Sequence, residues 1–158
     1  GLVACAISPS RVGIDVERTR QNIDYEEIAQ STFSHQEIKA LEELPASARR
    51  AQVLKLWTLK EAFLKATGRG LSGGLDSMWF DILPSGEVKF SAPRDMDDGC
   101  WKFALFTPYV ESWIAVAVES PDVPRLFLQG REVTGLHAGA PAMQQRGVAQ
   151  PDQDGHDG

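Results

Sequence analysis

Residues 47–67 read SARRAQVLKLWTLKEAFLKAT and are followed by Gly68-Arg69-Gly70. The stretch holds no proline and no glycine until Gly68, a residue suited to a left-handed C-cap, so it reads as one long helix from Ser47 to Thr67. Stepping about 100° per residue from Val53, the side chains of Leu59, Phe63, Leu56, Leu64 and Trp57 fall in one arc from about 240° round to about 40°, the face to be buried. Lys60 lies inside that arc, at about 340°, where an ammonium is unfavourable unless its stem snorkels or it meets an anion. Glu61 and Lys65 sit together at the edge of the arc. Alone, such an i, i+4 pair contributes about 0.2–0.5 kcal/mol to a helix and asks for no further explanation.

Towards the N-terminus, Val12 to Glu17 alternates, with Val12, Ile14 and Val16 on one face and Gly13, Asp15 and Glu17 on the other. The apolar run Leu2 to Ile7 and the turn Ser8-Pro9-Ser10-Arg11 before it predict a β-hairpin. Asp24 to Ser31 is weakly helical. Ser34 opens a stronger helix through the capping box Ser34–Glu37, continuing through Ile38, Leu41 and Leu44 to a stop at Pro45. Beyond the glycine-rich 68–74, four strands are expected at Met78–Leu83, Glu87–Ser91, Trp101–Thr107 and Trp113–Glu119. This order predicts an α+β fold, an antiparallel sheet packed against a long helix. Residues 130–158 contain six Gly and two Pro, with no aromatic residue and no Ile, and read as a disordered tail. The expected organisation is therefore one domain, 1–125, and a tail.

At 158 residues the chain has room for one core, and its formal charge of −6 argues against a general nucleic-acid or anionic-membrane binder. The arginines from Arg49 to Arg69 give a nucleic-acid reading only slight support. No run of about 18 apolar residues offers a membrane span. Two distant cysteines, Cys5 and Cys100, form neither a disulfide framework nor a zinc motif and suit a reducing cytoplasm.

Two residues apart on a strand, Asp15 and Glu17 leave the same face about 6.6 Å apart at the backbone. Alone, they read as a solvated face. Taken with Glu61 they become three hard oxygen donors of the kind Mg²⁺ selects, with Lys60 and Lys65 available to neutralise a transferring phosphoryl group. Glu61 could also accept a proton from an attacking hydroxyl. Glu37 is accounted for by its capping box and ranks below these three.

Three ordered motifs, Val12-Gly13-Ile14-Asp15-Val16-Glu17, Phe33-Ser34-His35-Gln36-Glu37 and Trp57-Thr58-Leu59-Lys60-Glu61-Ala62-Phe63-Leu64-Lys65 with Gly68-Arg69-Gly70-Leu71, resemble the 4′-phosphopantetheinyl transferases of the two-lobed, Sfp-like type. The resemblance implies one lobe of that fold and a holo-[acyl-carrier-protein] synthase activity. The phosphopantetheine arm of coenzyme A would pass to a serine of an acyl or peptidyl carrier protein, releasing adenosine 3′,5′-bisphosphate. By position it implies Asp15, Glu17 and Glu61 as Mg²⁺ ligands, Glu61 as base, Lys65 as phosphate contact and catalytic residue, and Lys60 as a supporting coenzyme A contact. Trp57 is expected to serve mainly as core. The family's N-terminal lobe, with its Ser-His segment, has no counterpart here, so the sequence reads as the second lobe. The alternative is a catalytically incomplete lobe that docks a carrier protein or another partner.

Overall fold

Strand β1 (Val12–Arg18) does not pair with the segment before it. In the computed structural model its partner is β5 (Ser112–Glu119), antiparallel, with Gly13 opposite Ala117, Asp15 opposite Ala115 and Glu17 opposite Trp113. The described residues are 2–70 and 74–120, with the backbone of 131–132 and 144–145. The expected 2–7/12–17 hairpin is thus corrected. Residues 2–7 carry no strand pairing, and Val3 and Ile7 are almost fully exposed. The reason lies in β5, whose Trp113-Ile114-Ala115-Val116-Ala117-Val118 is apolar on both faces and suits a central strand. It is flanked on its other side by β4 (Trp101–Phe106), giving a sheet in the order β1-β5-β4.

Three helices precede the remaining strands. Helix α1 (Tyr25–Thr32) begins at Asp24, whose carboxylate accepts from the N–H groups of Glu26 and Glu27. Helix α2 (His35–Glu42) starts at the expected capping box, with Ser34 Oγ accepting from Glu37 N while the Glu37 side chain accepts from Ser34 N. Helix α3 (Ala46–Thr67) ends at Gly68, which adopts φ 71°, the left-handed cap read from the sequence. A 3₁₀ turn at Leu75–Ser77 then leads into the hairpin of β2 (Trp79–Ile82) and β3 (Val88–Ser91).

The core is built around α3, which is buried on more sides than its apolar arc implies. Leu54, Thr58 and Ala62 lie off the arc and are buried with it. Ala62 and Ala66 lie against β1, and Thr58, one turn earlier on the same stripe, donates its hydroxyl to Leu54 O at 2.6 Å. On the arc, Phe63 meets Phe90 and Trp101 with ring centroids 4.9 Å apart, and Phe80, Phe90 and Phe103 close the cluster. The sheet lies on one side of the helix and the aromatic cluster draws the β2–β3 hairpin onto another, so a single-arc pattern understates the burial.

The chain divides into two units, Gly1–Pro124 and Arg125–Gly158. All elements above belong to the first. In the second, Arg131–Glu132 (β6) pairs antiparallel with Gln144–Gln145 (β7); the rest of the segment expected to be disordered lies outside the described residues. No helix among the described residues is long and apolar enough to cross a membrane.

Candidate functional site

The distance between β1 and α3 is set by what is missing from their interface. Gly13 faces α3, and a Cβ there would overlap Ala62 O and Ala66 N and come within 3.0 Å of Ala66 Cα. Opposite Gly13 and Asp15 the central strand carries Ala117 and Ala115, both fully buried. Glycine and alanines let backbone lie close to backbone, so Asp15, two residues after Gly13, is carried to the middle of α3. Period-two alternation then puts Gly13, Asp15 and Glu17 on the helix-facing side of the sheet, not in solvent.

Asp15 is 7 % exposed. The Lys65 ammonium donates to its Oδ1 at 2.5 Å, while Oδ2 is buried with no hydrogen-bond partner. One turn before Lys65 on α3, Glu61 has a buried Oε1 that is likewise without a partner. Burial raises the pKa of Glu61 above the ordinary 4.5, and the Asp15 and Glu17 charges raise it further against the lowering effect of Lys65. The pKa of Glu17 is also raised, first by burial and then by Asp15, with Arg20 and a hydrogen bond from the Trp57 side chain pulling it down. Three carboxylates therefore feel one another, with one lysine among them.

The structure pairs Asp15 with Lys65 and sets Glu17 and Glu61 near enough for their charges to act on Asp15, while Lys60 lies elsewhere. The Lys60 side chain is fully buried, and its three donors go to Glu37 Oε2 at 2.8 Å, Leu75 O at 2.6 Å and Met78 O at 2.8 Å. With every donor engaged in this way, Lys60 presents none towards Asp15, Glu61 and Lys65. Burial pushes the Lys60 pKa below the usual lysine range and Glu37 opposes that shift. Trp57 packs against the core, as expected. Sequence reasoning missed two residues: Gly13 carries no chemistry of its own, and Glu37, read as a cap only, is also the counter-ion of Lys60. A lysine inside an apolar arc was the available signal for that last pairing.

The donor set fits a hard divalent cation. Two buried carboxylate oxygens, Asp15 Oδ2 and Glu61 Oε1, are unsatisfied, and buried acceptors are otherwise paired in folded proteins. As the side chains stand, no three His, Cys, Asp or Glu among the described residues converge closely enough to hold a metal ion. The spread has a physical cause: carboxylates repel unless a cation lies between them, and Lys65 already holds one oxygen of Asp15.

The model of the ACPS family, the 4′-phosphopantetheinyl transferase superfamily, matches residues 11–118. The chain is 38 % identical over 134 residues to the 4′-phosphopantetheinyl transferase gsp of Aneurinibacillus migulanus, an alignment covering 85 % of this chain and 56 % of that protein. It is 33 % identical over 123 residues to the 4′-phosphopantetheinyl transferase Sfp of Bacillus subtilis (strain 168), covering 77 % and 53 %. The chain thus spans about half the length of these curated relatives. In fold it is similar to the holo-[acyl-carrier-protein] synthase of Thermotoga maritima, with a TM-score of 0.56 at 24 % identity over 70 % of this chain and 63 % of that one.

Proposed function

Because this chain belongs to the 4′-phosphopantetheinyl transferase superfamily, Sfp-like in type, we propose that it is the metal-bearing lobe of an enzyme that modifies carrier proteins. It moves the 4′-phosphopantetheine arm of coenzyme A onto a serine hydroxyl of an acyl or peptidyl carrier protein. The observation that supports this reading is the Asp15–Lys65 pair with Glu61 within reach of its charge, two carboxylate oxygens being left unpaired in a buried setting.

In the reaction the serine oxygen forms a bond to the phosphorus bearing the pantetheine arm. The bond from that phosphorus to the bridging oxygen breaks, and adenosine 3′,5′-bisphosphate leaves with the electron pair. The Glu61 carboxylate is the proposed acceptor of the serine proton. Asp15, Glu17 and Glu61 are the residues that would hold Mg²⁺, which when bound would neutralise the diphosphate and the leaving group. Lys65 is half exposed and reaches Asp15 from the rim, so it can turn its ammonium to a phosphate. The proposed location is the cytoplasm, in keeping with the absence of a disulfide framework.

The test is mass spectrometry of a carrier protein incubated with coenzyme A, Mg²⁺ and a protein containing this lobe. A phosphopantetheine mass increment that requires Mg²⁺ and is lost in Asp15→Asn is the expected result. No increment under any metal condition refutes the assignment.

A further inference from the structure

Outside the carboxylate site, the most fully satisfied polar group of the described residues is the Glu37–Lys60 pair. Lys60 Nζ uses its three donors on Glu37 and two main-chain carbonyls and lies over the Phe33 ring, 5.3 Å from its centroid. Glu37 accepts from Ser34 N at 2.9 Å, Ser34 Oγ at 2.8 Å and Phe80 N at 3.0 Å. The pair thereby ties α2, the middle of α3 and the segment 75–80 into one directional network. The hydrophobic effect is non-directional, so this network adds directional restraint to the packing around α3.

Two features on opposite sides of α3 restrain its rotation. On the sheet side, Gly13 lets β1 seat against Ala62 and Ala66. On the far side, about 160° round from Ala62, Lys60 is held by its three acceptors. Glu61 projects between these two fixings. A lysine paired in this way is worth little as a source of stability compared with a well-packed apolar side chain, and its attested use is to specify one arrangement over its neighbours.

We infer that Glu37 and Lys60 are positioning residues, which fix the rotation of α3 and so aim Glu61 at Asp15. The inference rests on the metal reading proposed above. It gives the pair a role at a site it does not touch: neither side chain would meet the ion or the substrate. Loosening the pair would let Glu61 swing away from Asp15 while the core stays folded.

The experiment measures Mn²⁺ binding by electron paramagnetic resonance. It uses the wild-type chain, the double variant Lys60→Met with Glu37→Gln and, as a control for simple destabilisation, Ile28→Ala, which trims a core contact of α1. The double substitution neutralises both charges, while the amide oxygen introduced at position 37 keeps an acceptor for Phe80 N–H, so the core can fold; near-ultraviolet circular dichroism checks that it does. We expect the folded double variant to bind Mn²⁺ about tenfold or more weakly, and Ile28→Ala to bind like wild type whatever its melting temperature. Equal affinity in wild type and a folded double variant overturns the positioning role and leaves the metal reading standing. An equal loss in Ile28→Ala overturns it too, by reducing the effect to stability. A wild-type chain that binds no Mn²⁺ overturns the metal reading and this inference with it. Should the double variant not fold, Lys60→Arg decides: a folded chain with wild-type affinity supports a directional donor at this position, and a folded chain with none of it refutes the tolerance the network implies.

Discussion

Replacing Gly13 by alanine tests the geometry on which the site depends. Gly13 is not a left-handed glycine, so an alanine there meets no backbone strain, only lack of room. Elsewhere such a change stabilises a protein by about 0.4–1 kcal/mol, because it restricts the unfolded chain. Here the new methyl overlaps Ala62 O and Ala66 N and reaches 3.0 Å from Ala66 Cα, where ordinary contact begins at 3.4 Å. All three atoms are backbone, so no rotamer change relieves the overlap and α3 must back away from β1, on the order of 1 Å. A gap of that size forfeits a quarter to a half of each contact's attraction along the interface. Overpacking of this kind costs about 3 kcal/mol, lowering Tm by about 10 °C in a domain of this size. The withdrawal also separates Asp15 from Glu61 and Lys65, so divalent-ion binding should weaken alongside stability. Thermal melts by circular dichroism and Mn²⁺ titration provide the measurements. The open-space control is Gly86→Ala, at a turn with φ 86° and no atom near the added Cβ. It should lower Tm modestly and leave ion binding unchanged. A Gly13→Ala chain that melts at or above the wild-type temperature refutes the close approach and with it the convergence of the site.

Three further outcomes follow from the same geometry. Glu61→Gln should lower carrier-protein modification about 10²–10⁴-fold, and an unchanged rate by mass spectrometry removes Glu61 as the base. In the ion-free chain the folded-state pKa of Glu61 is raised, so the stability it contributes is complete below 4.5 and lost as pH rises through the raised value. The Tm of Glu61→Gln minus that of wild type should therefore grow from pH 4.5 towards 7.5, and a difference constant across that range refutes the burial and repulsion assigned to it. Lys60→Met alone leaves Glu37 charged and buried without its cation, and should cost about 3–5 kcal/mol by denaturant unfolding. A loss under about 1 kcal/mol contradicts the buried ion pair.

Local signals were legible and long-range ones were not. The capping box at Ser34 and the glycine cap at Gly68 appear where the letters put them, because each is made by residues within a few positions of one another. Strands β2 to β4 fall within the expected segments, and β5 begins one residue before its own, for the same reason: alternation and turn residues are local properties. The partner of β1 is different. Leu2–Ile7 is adjacent in sequence and apolar, yet β1 pairs with residues about a hundred positions later, and no local pattern states which partner offers the better apolar face. The polar face of β1 was equally opaque. Gly13, Asp15 and Glu17 look solvated until the small residues Ala115 and Ala117 opposite them are known to admit a helix. On α3 the arc predicted the burial of Lys60 but not what it meets, since Glu37 had a complete local explanation already.

The arrangement also explains why binding chemistry and fold stability oppose each other here. A backbone contact that needs glycine is tight, and tightness expels water from whatever lies beside it. Asp15 lies beside it, two residues on, and is buried with one oxygen unpaired. Glu61 and Glu17 share that partial desolvation, and their raised pKa values are its signature. Lys65 answers only one oxygen of Asp15 from the rim. A chain selected for stability alone would place apolar side chains on the helix-facing side of β1, as it does at Ala115 and Ala117 on β5. Retaining two ionisable groups there, with Glu61 on the facing helix, makes the ion-free protein less stable than its own core permits, and a divalent cation is the group that would return that deficit, because it binds the folded arrangement and not the unfolded chain. The apolar core, from Phe63 through Phe80, Phe90 and Phe103, lies on another side of α3 and carries the stability that makes this tolerable.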